Sequence, residues 1–232
     1  MSHEPMDVDE LAAYLKRDAR DVHKLASKGL IPGKKIAGEW RFQTYEINLW
    51  LQGQLIDHHE ESLIHFESHA PIECEHGTLI SKYLGEPCIA SPLPARTKSS
   101  ALRELIKLAE QSWQIYDPDA IYKAISQREE IASTALAGGV AIPHPHRPIP
   151  GTLGETVIAL GIIPGGIPFG APDGKLTDVF FLVCPTDDKT HIQLLARLTR
   201  LFLTEGFLES IREANDPKQI WQTIRKLEMK LG

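Results

Sequence analysis

The chain has 232 residues, 42% of them hydrophobic, with 25 basic against 31 acidic side chains and a formal charge of −6. That length suits one large domain or two small ones, and the negative balance excludes a global attraction to nucleic acid or anionic lipid, so any such contact has to come from a local patch. No apolar run reaches membrane-spanning length, no signal-peptide pattern opens the chain, and Cys74, Cys88 and Cys184 form no CxxC pair, so a reduced cytoplasmic protein without membrane insertion is expected.

Residues 1–52 read as a self-contained unit. Val8, Leu11, Ala12 and Leu15 repeat at helical spacing. Asp18 is placed to cap a second helix through Val22, Leu25 and Ala26, with Gly29 just past its end. Two short helices joined by a tight turn make a helix-turn-helix. Lys34–Ile36 and Glu39–Phe42 alternate around Ala37-Gly38, which predicts a small hairpin or wing, and Tyr45 to Leu51 begin another helix.

Taken in order, Asp9-Glu10-Leu11-Ala12, Val22-His23-Lys24-Leu25, Gly29-Leu30-Ile31-Pro32, Gly38-Glu39-Trp40-Arg41-Phe42 and Glu46-Ile47-Asn48-Leu49-Trp50-Leu51 resemble the winged helix-turn-helix domains of the excisionase and MerR type. The resemblance implies that the helix around Asp21–Lys28 enters the major groove of double-stranded DNA while the wing touches the backbone. Eight basic residues face three acidic ones between Lys16 and Arg41, a usable phosphate footprint. The expected DNA contacts are Arg20, His23, Lys24, Lys28, Lys34, Lys35 and Arg41. The other reading, a solvated face used for protein contacts, is favoured by Asp18 and Asp21 beside that helix. Units of this size work as homodimers by analogy.

Residues 53–76 differ in composition: six acidic residues, no Lys or Arg, and five of the ten histidines. An acidic connector is expected, helical to about His65. His58, Glu61, His65 and His69 fall near one helical face at spacings open to a divalent metal, but such residues are ordinary on a solvated helix, and no metal site or other cofactor is assigned. The heptad pattern is too weak for a coiled coil.

Residues 77–232 alternate helix and strand. Ser99–Gln114 is amphipathic, with Ser99 as cap; Asp117-Pro118 opens a helix to Gln127 or beyond. Val140–Ile142 is a short buried strand closed by Pro143. Thr156–Ile163 and Asp178–Cys184 are near-continuous apolar strands, with Gly165-Gly166 and Pro172-Asp173-Gly174 read as turns. His191–Leu203 is an amphipathic helix, and Asp216-Pro217 starts a last one through Leu227. The fold class expected is α/β, a mixed sheet sandwiched by helices behind a small winged helix-turn-helix domain.

In this half, Gly139-Val140-Ala141-Ile142-Pro143-His144 presents a histidine at the end of a stiff strand. With Arg128-Glu129-Glu130, Ser133-Thr134, and Asp187-Asp188-Lys189-Thr190-His191 ahead of an apolar helix, it resembles the type 2 EIIA domain of the bacterial phosphoenolpyruvate:sugar phosphotransferase system, in its fructose, mannitol and nitrogen-regulatory branch. The resemblance implies that His144 accepts a phosphoryl group from the phosphohistidine of an HPr- or NPr-type carrier and passes it to an EIIB partner, with His191 and Arg128 in the active site. Chemically, Arg128 offers a fork of donors to phosphoryl oxygens, His191 a donor near a helix start, and Ser133 or Thr134 a hydroxyl.

Blander readings stay open: His144 as a surface histidine in a Pro-rich loop, His191 as a helix residue without chemistry, Arg128 as an ion-pair partner of a nearby glutamate. The chain departs from the pattern of the family it resembles at Pro143-His144-Pro145-His146-Arg147, where that family commonly has Pro-His-Ala-Arg. The function expected is phosphorylation-responsive regulation, His144 coupled to DNA binding. A plain phosphocarrier to EIIB, or a non-catalytic transcription factor with a degenerate sensor, are the alternatives.

Overall fold

The computed structural model describes residues 5–15, 17–57, 78–214 and 216–231, and the chain divides into two compact units, Met1–Pro71 and Ile72–Gly232. The metal-spaced residues His58, Glu61, His65 and His69 lie outside the described residues.

In the first unit, helix α1 (Val8–Leu15) is opened by a reciprocal cap: the Asp7 carboxylate accepts from Glu10 N, and the Glu10 carboxylate from Asp7 N. Helix α2 (Ala19–Ser27) is capped by Asp18, which accepts from Arg20 N. It ends with Gly29 at φ +70°, the Gly29 N–H on Ala26 O and the Leu30 N–H on Leu25 O, the paired closure that a left-handed residue allows. Strands β1 (Lys34–Ile36) and β2 (Glu39–Arg41) form the wing, antiparallel with Lys34 opposite Arg41. Helix α3 (Thr44–Asp57) follows. Leu11, Leu15, Val22, Ile31, Phe42, Ile47 and Leu51 make the small core, and Tyr14 donates to the buried Asn48 side chain.

The second unit begins with a short helix α4 (Leu79–Tyr83) and a two-residue strand β3 (Ile89–Ala90). Helices α5 (Lys98–Ala109) and α6 (Pro118–Ile131) come next, then strands β4 (Ala135–Leu136), β5 (Val140–Ala141), β6 (Val157–Ile167) and β7 (Thr177–Cys184). Helices α7 (Asp188–Leu203), α8 (Phe207–Glu213) and α9 (Pro217–Leu231) close the unit. The sheet order is β3-β6-β7-β5-β4, with β3–β6 and β5–β7 parallel and β6–β7 and β4–β5 antiparallel. This is a mixed sheet among helices, as expected. Nearly every residue of β6 up to Ile163 and of β7 is buried, which explains their unbroken apolar runs.

Three local expectations are corrected. Helix α5 is capped by Thr97, whose hydroxyl accepts from Ser100 N while Ser100 Oγ accepts from Thr97 N, so Ser99 lies inside the helix. Gly165-Gly166 is not the turn: both sit inside β6 at positive φ, where the pairing with β7 shifts register between Ile162 and Ile167. Helix α7 begins at Asp188, with Asp187 as cap, so His191 stands within its first full turn.

Candidate functional site

His144 is presented by an inner strand of the sheet. Strand β5 lies between β7 and β4, and its pairing continues past Ala141: Ile142 N donates to Thr134 O at 3.2 Å, and Val183 N to Pro143 O at 2.9 Å. The residue leading into β5, Gly139, has φ +82°, and its carbonyl accepts from both Asp178 N and Val179 N. The backbone that delivers His144 is thus fixed on both flanks, and the side chain is only 4% exposed. Its Nδ1 lies 2.6 Å from Ile142 O. A carbonyl only accepts, so Nδ1 carries the proton and Nε2 keeps its lone pair.

His191 comes from the head of α7. Asp187 Oδ1 accepts from Thr190 N at 2.8 Å and Oδ2 from Thr190 Oγ1 at 2.7 Å, which fixes the turn. The imidazole is fully buried and neither ring nitrogen has a hydrogen-bond partner. It meets His144 edge to face, ring centroids 5.0 Å apart at 67°. Burial, then the Arg128 charge and His146, push the His191 pKa down to about 3 against the pull of Asp187. His144 is held well below the ordinary histidine value by burial first, then by His191 and Arg128, with the Ile142 carbonyl opposing. Both imidazoles are therefore neutral at pH 7, the state in which one is a nucleophile.

Arg128 reaches the same place from the last turn of α6, 6% exposed. One terminal nitrogen donates to Ala132 O at 2.7 Å; its Nε has no partner. The neighbouring carboxylate points elsewhere: Glu129 pairs with Lys98 at 2.8 Å and accepts from the backbone and hydroxyl of Thr134. Among the described residues no carboxylate stands within ion-pair distance of Arg128, so a buried cation with spare donors faces two neutral imidazoles. Such an arrangement favours an anion.

The hydroxyls of Ser133 and Thr134 are already engaged. Ser133 donates to Phe169 O at 2.8 Å, and Thr134 to Glu129. They brace the turn between α6 and β4. Sequence reasoning passed over the Lys98–Glu129–Thr134 cluster, whose members are up to 36 residues apart; the Asp187-x-x-Thr190 cap was available as a signal. Among the described residues no group of three or more His, Cys, Asp or Glu is set to hold a metal ion.

In the first unit, Arg20, His23, Lys24 and Lys28 are exposed on or just after α2, and Lys34 and Lys35 are exposed on the wing. Arg41 is half-buried and pairs with Glu39 at 2.8 Å; Lys35 lies over the Trp40 ring at 5.2 Å. Asp21 is exposed beside them in the first turn of α2.

Solved IIA proteins of phosphotransferase systems share this fold. The IIA-Ntr structure from Neisseria meningitidis superposes with a TM-score of 0.57 at 24% identity, covering 63% of this chain and 99% of that one. The IIA mannitol component of Escherichia coli, solved in complex with phosphorylated IIB mannitol, gives a TM-score of 0.53 at 19% identity, covering 61% and 96%. The chain belongs to the family "phosphoenolpyruvate-dependent sugar phosphotransferase system, EIIA 2", whose model matches residues 82–227. It carries in addition a helix-turn-helix domain over residues 5–55. The nitrogen regulatory protein of Escherichia coli K12 is 29% identical over 155 residues, 64% of this chain and 91% of that protein. Among the described residues no helix is long and apolar enough to cross a membrane.

Proposed function

We propose that this protein is a phosphorylation-responsive DNA-binding regulator in which His144 accepts a phosphoryl group on Nε2 from the phosphohistidine of an HPr- or NPr-type carrier. The observation that carries the reading is the bond from His144 Nδ1 to Ile142 O, because it leaves one nitrogen, and only one, able to attack phosphorus. The donor's P–N bond breaks as the Nε2–P bond forms, and the donor imidazole, protonated on its other nitrogen, leaves neutral. His144 keeps its Nδ1 proton on the carbonyl. Arg128 supplies the fixed positive charge for the transferring oxygens. The buried His191 becomes a donor when an oxygen arrives beside it.

Incubation with phosphoenolpyruvate, enzyme I and HPr tests the acceptor. Wild type should gain about one acid-labile, base-stable phosphate, located on Nε2 by phosphorus–nitrogen coupling in NMR, and His144→Ala should gain none. Equal labelling of the two proteins overturns the reading. The charge brought to the site then changes what the helix-turn-helix unit binds; comparing DNA affinity of the full chain with and without phosphate measures that coupling.

A second reading rests on Asp21, an exposed carboxylate in the first turn of α2. In this reading the first unit contacts proteins and His144 feeds an EIIB partner, as the mannitol components pair in Escherichia coli. Efficient phosphorylation of an EIIB domain without salt-dependent DNA binding favours it.

A further inference from the structure

The ladder between β4 and β5 breaks off just before His144, and it breaks off on one side only. The register Ala135–Ala141 and Leu136–Val140, continued by one residue, sets Thr134 opposite Ile142. Opposed residues at a hydrogen-bonded position of an antiparallel pair exchange two bonds. Ile142 N makes the first, to Thr134 O at 3.2 Å. The return bond, from Thr134 N to Ile142 O, is not made. Thr134 N donates instead to the Glu129 carboxylate, at 3.1 and 3.3 Å from its two oxygens, and the Thr134 hydroxyl donates to the same group. Ile142 O pairs with His144 Nδ1 at 2.6 Å.

We infer that Glu129 is a positioning residue for the phosphoryl acceptor: by capturing the Thr134 amide it leaves the Ile142 carbonyl to His144 Nδ1, and so sets which imidazole nitrogen carries the proton and which one attacks. Its bearing on transfer rests on the acceptor reading of His144; its bearing on the tautomer does not. Glu129 acts through two backbone groups. A carboxylate oxygen is a stronger acceptor than a peptide carbonyl, which is why the amide leaves the ladder for it. Were the amide to return, Ile142 O would be shared between two donors and would hold each less firmly. The imidazole is the donor with an alternative, because its proton can sit on Nε2 instead.

Lys98 keeps the carboxylate at this post. The Glu129 side chain is 2% exposed, a burial that calls for a partner, and Lys98 Nζ lies 2.8 Å from Oε2. Lys98 is held in turn by Phe169, whose carbonyl accepts from it at 3.3 Å and whose ring centroid is 4.7 Å away. Ser133 donates to that same carbonyl at 2.8 Å and accepts from Ala135 N at 3.2 Å, so the turn next to Thr134 is pinned independently. A continuous path of hydrogen bonds and one ion pair therefore runs from Lys98 through Glu129, Thr134 and Ile142 to His144.

The test is nitrogen NMR of the His144 imidazole in the full chain, for wild type, Glu129→Gln and Glu129→Ala, paired with the rate of phosphoryl transfer from HPr. Wild type should show the proton on Nδ1. E129Q, whose side-chain carbonyl still accepts from Thr134 N, should keep that signature. E129A should show a mixture of the two tautomers and accept phosphate about twofold to tenfold more slowly than wild type, the worth of one net hydrogen bond, with E129Q faster than E129A. A wild-type tautomer in E129A overturns the inference. So does an equal loss in both variants, which assigns the effect to the Lys98 ion pair and not to the amide. Where E129A fails to fold, the native protein decides: the scalar coupling across the hydrogen bond from Thr134 N should reach the Glu129 carboxyl carbon, and a coupling to the Ile142 carbonyl carbon overturns the inference. Absence of phosphate on wild type overturns the acceptor reading, while the tautomer series still decides the role of Glu129.

Discussion

His144 and His191 are neutral because they are buried, and that has a price in acid. Both would bind a proton near pH 6.5 in the unfolded chain and only at lower pH when folded, about 3 for His191. The stability tied to each is fully present above pH 6.5 and is lost as pH falls from there toward the folded value, at up to about 1.4 kcal/mol per pH unit per histidine. The urea midpoint of the second unit should therefore drop between pH 7 and pH 5, and His191→Phe should flatten the drop. An equally steep drop in that variant removes His191 from the account. For Arg128, replacement by lysine keeps the charge and loses the fork; the phosphoryl-transfer rate from HPr should fall about tenfold to a hundredfold, with His144 still labelled at the end point. The histidines were legible as side chains because a proline and a strand, both local, announce His144. The burial of Arg128 and the partners of Ser133 and Thr134 were not legible. Phe169, which accepts from Ser133, comes from 36 residues away, and no local pattern carries that information.

Helix ends and turns were more readable, with one helix start misplaced where three hydroxyls competed. Thr97, Ser99 and Ser100 all suit a helix start. Thr97 wins because it exchanges hydrogen bonds with Ser100 three residues on, a geometry Ser99 lacks. Thr97→Ala should cost about 1 kcal/mol in the unfolding free energy, and Ser99→Ala a few tenths at most. In the wing, Ala37 and Gly38 both have positive φ, +51° and +88°. Alanine is strained there and asparagine is tolerated, so Ala37→Asn should raise the stability of the first unit by up to about 1 kcal/mol in a thermal or urea melt. Gly139→Ala should do the reverse. A Cβ there would stand 2.8 Å from Asp178 Oδ1 and 2.9 Å from a terminal nitrogen of Arg212, two groups that are themselves paired at 2.8 Å. The expected loss exceeds about 1 kcal/mol and unsettles the strand that presents His144.

At the scale of the molecule, the division into a helix-turn-helix and an α/β unit was visible from charge and periodicity, whereas the order of the sheet was not. Strands β3, β4 and β5 contribute two residues each, too few for any period; the places of β3 and β5 are set by long-range pairing with β6 and β7, and β4 follows β5 at the edge. The DNA-binding reading is a whole-molecule claim because the net charge of −6 opposes it. If Lys24 and Lys28 each neutralise a phosphate, the slope of log affinity against log salt should shrink by about 0.9 for each when replaced by alanine in the full chain. An unchanged slope assigns that face to something other than DNA.

The second unit is also closed on itself. The buried Glu228 carboxylate near its far end accepts from Ile80 N, Ser81 N and Ser81 Oγ, and Trp221 donates to Leu84 O. The last helix of the unit is thereby buttoned to its first, so the two ends of the unit lie side by side. A module built this way is portable: it can be hung from a foreign segment by one covalent joint without threading its sheet. It should also accept relocated ends. Joining the two helices by a short flexible linker and reopening the chain at the exposed Pro172-Asp173-Gly174 turn should give a permuted protein that still folds and still presents His144.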